Sequence, residues 1–172
     1  VSELILVDEQ DREIGFADKL AAHRGGGRLH RAFSVFIFND AGELLLQQRA
    51  AVKYHFAGLW SNSCCGHPLR GQATAEAARR RLHEELGFDA PLREIFAMAY
   101  EAADPASGLT EREFDHVFGG RHDGAVSPAP TEVSAVRWIE PGLLGRELQA
   151  RPECFTPWLG ILLPRVLDSI TG

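Results

Sequence analysis

A chain of 172 residues, 45% of them apolar, can bury a core without disulfide or metal staples and is too apolar to remain disordered. Its net charge of −6 leaves no basic excess to release counterions, which excludes a non-specific nucleic-acid binder. No apolar run reaches the length of a membrane span, no signal-peptide pattern opens the chain, and three cysteines, two of them adjacent, make no disulfide framework; a cytoplasmic protein is expected.

The chain opens on Val1 rather than Met, which leaves room for residues before it. Residues 4–7 and 12–17 flank the polar turn of Asp8, Glu9, Gln10 and Asp11 and are expected to pair as a hairpin. Asp18 is placed to cap a short helix through Ala22, which Gly25, Gly26 and Gly27 end, with His23 and His30 on either side of the glycines. Phe33, Val35 and Ile37 alternate along 31–38 as in a strand, and the turn at 39–42 leads into a second strand at 43–49, so 31–49 is expected as a hairpin. Residues 50–59 form a loop carrying Lys53, Tyr54 and His55.

The next stretch, 61–68 (Ser-Asn-Ser-Cys-Cys-Gly-His-Pro), places a thiol and an imidazole in one Gly-containing loop. A helix follows over 73–87: Ala75, Ala78, Leu82 and Leu86 recur at steps of three and four, a stripe suited to covering a sheet. Arg81 shares a face with Glu85, and Arg80 with Glu84, while Gly87 supplies the stop. Residues 92–102 are apolar and strand-like, with Tyr100 near the end, before a turn at 104–108.

Along 110–118 the alternation puts Glu111, Glu113 and Asp115 on one face and Arg112, Phe114, His116 and Phe118 on the other. Three acids in a row on one strand face repel one another, so that face is either solvated surface or lies opposite a bound cation. Pro128 and Pro130 mark a loop, 132–139 reads as a strand, and Pro141 opens a helix through Ala150 that Arg151 and Pro152 break. The last segment, 156–170, is expected to be helical, with Thr156 as cap, Pro157 first, a kink at Pro164, and Leu159, Leu162, Leu163, Val166 and Ile170 as its buried stripe. Strands and helices alternate irregularly around a mixed sheet covered on both sides, an α+β or α/β fold in one domain spanning 1–172.

Read from Gly66, the spacing of Gln72 and of the run Arg80, Arg81, Leu82, His83, Glu84, Glu85, Leu86, Gly87 and Phe88 resembles the Nudix box, in which a helix presents glutamates to a divalent cation that neutralises a diphosphate. Gln72 stands where a Glu is usual, and Arg81 stands where the second residue of the Arg-Glu pair is usual. Losing two acids weakens the multi-metal clamp with which a hydrolase activates water. The helix thus suits holding a diphosphate better than cutting it, and a Nudix nucleotide-diphosphate hydrolase is the alternative.

Taken together, Ala-Ala-His23, Arg-Leu-His30, the Trp60–Pro stretch ending in Cys65-Gly-His67-Pro, Tyr100, Glu111-Arg-Glu113 and Phe155-Thr-Pro-Trp158 resemble the type I isopentenyl-diphosphate delta-isomerases, over nearly the whole chain. The resemblance implies a Nudix-like mixed sheet flanked by helices, with an N-terminal hairpin extension. It implies interconversion of isopentenyl and dimethylallyl diphosphate in isoprenoid biosynthesis, with an isoprenoid diphosphate as partner; charge and the lack of a long apolar run already argue against nucleic-acid and membrane partners. Protonating an unactivated alkene needs a well-placed acid in a dry site, and the tertiary cation that follows needs an aromatic face that stabilises without bonding.

Carried over by position, the resemblance implies Cys65, which directly precedes Gly-His-Pro, as the catalytic thiol in preference to Cys64, with Glu113 as the opposing acid/base. Tyr100 would assist the carboxylate and Trp158 would face the cation. His23, His30, His67, Glu111 and Glu113 resemble the ligand set of one Mn²⁺ or Zn²⁺, and Glu85 would hold a Mg²⁺ that arrives with the diphosphate. Lys19, Arg49, Lys53 and Arg81 resemble the cationic grip on the diphosphate oxygens.

Overall fold

Aromatic and β-branched residues fill β3 (His30–Phe38), and both of its edges are paired. One edge runs parallel to β8 (Thr110–Arg121), in register from His30 opposite Glu113 to Phe38 opposite Arg121. The other edge is shared in turn by β1 (Glu3–Val7) at His30, β6 (Cys64–Gly66) from Phe33 to Val35, and β4 (Leu44–Arg49) at Phe38. The computed structural model describes residues 3–171, and among them nine strands join in one mixed sheet.

The opening hairpin forms as expected, β1 pairing with β2 (Glu13–Asp18), and Asp18 caps α1 (Lys19–His23) by accepting from Ala21 N at 3.0 Å. The hairpin expected over 31–49 shrinks to one register pair, Phe38 opposite Leu44. Because β6 occupies the neighbouring stretch of that edge, β4 diverges and pairs with β5 (Trp60–Ser61) and β9 (Val133–Ile139). The stretch expected as a Cys-containing loop therefore supplies two short strands, and β7 (Arg93–Ala103) closes the far side against β8.

Alternation along β3 sorts the core into two layers. Phe33, Val35 and Ile37 pack with Ala77, Ala78, Leu82 and Leu86 of α2 (Thr74–Leu86), while Phe36 and Phe38 join Leu144 of α3 (Pro141–Ala150) and Leu159, Leu162 and Val166 of α4 (Pro157–Thr171). Each such aliphatic or aromatic side chain contributes roughly 1.5–3 kcal/mol by leaving water. Two positions depart from the expected stripes. Ala75 is exposed and Ala77 buried, since α2 is rotated so that its inner arc also takes in Glu85; Ile170, in the terminal turn of α4, is exposed. The helix α4 runs on through Pro164, and Thr156 ties its start to β5 by donating to Ser61 Oγ at 3.0 Å. Among the described residues no helix is long and apolar enough to cross a membrane.

Two glycines hold the site-bearing segment in place. Gly87 ends α2 in the left-handed region, φ 75°, with its N–H on His83 O at 2.9 Å. Gly66 leaves room for the ring of Phe33, whose Cζ would lie 2.6 Å from a Cβ at that position. Phe33 is fully buried and cannot yield, so Gly66→Ala should destabilise the fold by about 1–3 kcal/mol, the usual overpacking range, read as a lower urea midpoint at unchanged m. An unchanged midpoint would show that the ring can move.

Candidate active site

Adjacent residues of a strand point to opposite faces, and β6 applies this to the two cysteines. Cys64 enters the α2-side layer and is fully buried; Cys65 points to the α4 side and lines a cavity of about 310 Å³. The Cys65 thiol donates to Asn62 Oδ1 at 3.2 Å, with Ser34 Oγ 3.8 Å from its sulfur. Burial, reinforced by the charge of Glu113, pushes this thiol up to about 12, so it holds its proton at neutral pH. Trp158, in the first turn of α4, also lines the cavity, and its Nε1 donates to Ser61 Oγ at 3.0 Å and Asn62 Oδ1 at 3.2 Å. Phe56 meets the indole edge-on at 5.0 Å, which fixes its plane.

The acidic face of β8 is not solvated surface: Glu111, Glu113 and Asp115 are 3%, 6% and 0% exposed. Pairing of β3 with β8 sets His30 opposite Glu113; α1 brings His23, and the chain leaving β6 brings His67. Ligand atoms of His23, His30, His67, Glu111 and Glu113 all lie within 4.8 Å of one another. His23 Nδ1 donates to Lys19 O at 2.5 Å and His30 Nδ1 to Arg28 O at 2.7 Å, so both rings turn Nε2 inward. There Glu111 Oε2 lies 2.8 Å from His23 Nε2 and 3.5 Å from His30 Nε2, and Glu113 Oε2 lies 2.8 Å from His67 Nε2 and 3.4 Å from His30 Nε2.

An imidazole lone pair aimed at a carboxylate oxygen is repulsive unless a proton or a cation sits between them. Among the described residues His30 Nε2 is buried without a hydrogen-bond partner, at the centre of this group. Burial opposes a charge on His30, but the two carboxylates outweigh it and raise its value to about 10. Burial would likewise raise Glu111, yet the imidazoles of His23, His30 and His55 keep it well below the usual carboxylate range. Burial dominates at His67 and lowers it to about 4. Three inward imidazoles and two carboxylates are a donor set that fits a divalent cation.

The remaining oxygens of the two glutamates have separate partners. Glu113 Oε1 accepts from the Tyr100 hydroxyl, and Glu111 Oε1 from His55 Nε2. Asp115 accepts from Ser34 Oγ at 2.7 Å on Oδ2, while Oδ1 has no partner among the described residues. Burial and the neighbouring Glu113 charge push Asp115 well above the usual range, which favours its neutral form.

The buried Glu85, which also lines the cavity, accepts from Gln47 Nε2 at 2.9 Å and Arg81 Nη2 at 2.6 Å. Lys53 pairs with Glu132 at 2.5 Å, and Arg81 reaches the same carboxylate at 3.4 Å. Lys19 and Arg49 line the same cavity, Lys19 with Nζ 5.0 Å from the Tyr54 ring and Arg49 bonded to the carbonyls of His55 and Phe56. All the site residues expected from the sequence thus either line this cavity or belong to the imidazole–carboxylate cluster at its side. Nothing in the local sequence marks Gln47, Glu132 or Ser34 as site residues, and His55 stands out there only as a loop residue. Their partners stand between 16 and 81 residues away along the chain, and local spacing carries no trace of such contacts.

A NUDIX domain model matches residues 28–159. Isopentenyl-diphosphate Delta-isomerase 2 of Aromatoleum aromaticum is 48% identical over 172 residues, covering 99% of this chain and 90% of that protein. The isopentenyl-diphosphate Delta-isomerase of Halorhodospira halophila is 44% identical, with all of both chains covered. Among solved structures, DR0079 from Deinococcus radiodurans shares the fold with a TM-score of 0.78 at 24% identity, covering 95% of this chain and 98% of its own. Domain match and full-length identity together place the chain in the Nudix superfamily and, within it, in the isopentenyl-diphosphate delta-isomerase family.

Proposed function

We propose that the chain interconverts isopentenyl and dimethylallyl diphosphate, with the Cys65 thiol and the Glu113 carboxylate exchanging protons with the bound allyl unit. The terminal methylene gains a proton to give a tertiary cation, and the adjacent carbon on the diphosphate side loses one. The interconversion is reversible, so each of the two groups acts as acid in one direction and as base in the other. The observation that carries this reading is a thiol, a carboxylate and a fixed indole around one cavity that Lys19, Arg49, Lys53 and Arg81 also line.

Trp158 offers the cation a π face worth roughly 0.5–2 kcal/mol in a dry site. Tyr100 holds Glu113 through Oε1, which aims the carboxylate and supplies a hydroxyl next to its proton. His23, His30, His67, Glu111 and Glu113 would hold Mn²⁺ or Zn²⁺, with five nitrogen and oxygen donors favouring Mn²⁺. When bound, that ion supplies a fixed positive charge that steadies Glu113 and tunes its acidity. Glu85, turned inward beside Gln47, would take a Mg²⁺ carried in by the diphosphate, and Lys19, Arg49, Lys53 and Arg81 would bind the phosphate oxygens.

Hydrolysis is the poorer fit. Gln72 spends its Oε1 on Leu69 N at 3.1 Å, closing the turn before α2, and supplies no acid to activate water. One continuous sheet supports reading 1–172 as a single Nudix-type domain, and the free thiols of Cys64, Cys65 and Cys154 fit a reducing cytoplasm.

With Mg²⁺ and Mn²⁺ in deuterated water, isopentenyl diphosphate should yield dimethylallyl diphosphate carrying deuterium, followed by mass spectrometry. Cys65→Ala and Glu113→Gln should each lower kcat by about 10²–10⁴-fold, the usual worth of a positioned proton-transfer group. A fully active Cys65→Ala would remove the thiol from the reaction, and phosphate release without isomerisation would point to a hydrolase. Elemental analysis after desalting should find about one ion per chain, as for a closed site, and Glu111→Ala should lose it. Unchanged metal content in that variant would sink the cluster as the ion's site.

A further inference from the structure

His55 lies in the 50–59 loop, 4% exposed, beside the imidazole–carboxylate cluster but outside its five ligands. The two glutamates of that cluster are built alike. Each turns Oε2 toward the inward imidazoles and gives Oε1 to a second partner, Tyr100 for Glu113 and His55 for Glu111. On the far side of the His55 ring stands Arg49, with Nη2 3.5 Å from Nδ1 and 3.0 Å from the His55 carbonyl. A guanidinium only donates, so the nitrogen facing it must carry the lone pair, and the ring proton sits on Nε2, aimed at Glu111.

The ring has little freedom to turn away. Tyr54 stacks on it at 4.1 Å, and the next residue, Phe56, donates its backbone N–H to the buried Asp104 at 3.0 Å. An unbonded Glu111 Oε1 in so dry a place is unfavourable, and the carboxylate could then rotate to bring either oxygen, or both, toward the imidazoles.

We propose that His55 is a positioning residue for the metal site: through an Nε2–H···Oε1 bond, with its tautomer set by Arg49, it locks Glu111 so that Oε2 alone faces the cation. The proposal rests on the metal-site assignment made above. It is tested by ¹⁵N NMR of the histidine rings in the native chain and by titrating native protein, His55→Ala and His55→Gln with Mn²⁺, reading free Mn²⁺ by electron paramagnetic resonance. The native His55 ring should show the Nε2–H tautomer; Nδ1–H would overturn the proposal whatever the variants do. His55→Ala should bind Mn²⁺ about 10–100-fold more weakly, the usual cost of losing a ligand's outer hydrogen bond, and His55→Gln, whose amide can donate from nearly the same place, should regain most of it. Ala binding like native, or Gln as weak as Ala while both variants melt like native, would overturn it. If the native chain itself binds no Mn²⁺, the metal-site assignment falls and takes this one with it.

Discussion

Three carboxylates on one face of β8, nearly sealed from water, set the constraint that the rest of the site answers. Removing an isolated carboxylate from water costs several kcal/mol even after relaxation, so these side chains require donors or a cation within a few ångströms. Imidazoles arrive from α1, from β3 and from the chain leaving β6, and a fourth comes from the 50–59 loop. The N-terminal hairpin and the loops are therefore parts of the electrostatic solution as well as covering. Burial and the neighbouring Glu113 charge favour the neutral form of Asp115, the other route available to a buried acid.

The same face carries the chemistry because strands alternate. On β3, β6 and β8 one parity of residues belongs to the α2-side core, and the other, with His30, Ser34, Cys65, Glu111 and Glu113, belongs to the α4 side. A slip of one residue in β6 would exchange Cys64 for Cys65, burying the thiol that lines the cavity and exposing the inert one. The contact of Gly66 with the Phe33 ring guards that register. Ser61 and Asn62 join Cys65 to Trp158 through shared hydrogen bonds, so the thiol and the indole are placed by the same two polar side chains.

A chain of net charge −6 nevertheless gathers five basic side chains, Lys19, Arg49, Lys53, Arg80 and Arg81, around one cavity. Glu132 and Glu85 hold Lys53 and Arg81 in reach of one another, where bare like charges would repel.

The sequence by itself determined the periodic features: the opening hairpin, the span of α2 and its glycine stop, the two faces of β8, and the short motifs around Cys65, Glu113 and Trp158. These are written in spacings of two, three and four residues, which backbone geometry turns directly into faces. Only the tertiary structure decided that the acidic face is buried, that α2 rotates to bring Glu85 inward at the expense of Ala75, and that β4 leaves β3 after a single pair. The roles of His55, Gln47 and Glu132 also belong to it. Each depends on a partner brought close by sheet pairing across dozens of residues, and the energy of such a contact resides in the packed arrangement rather than in any local stretch of chain.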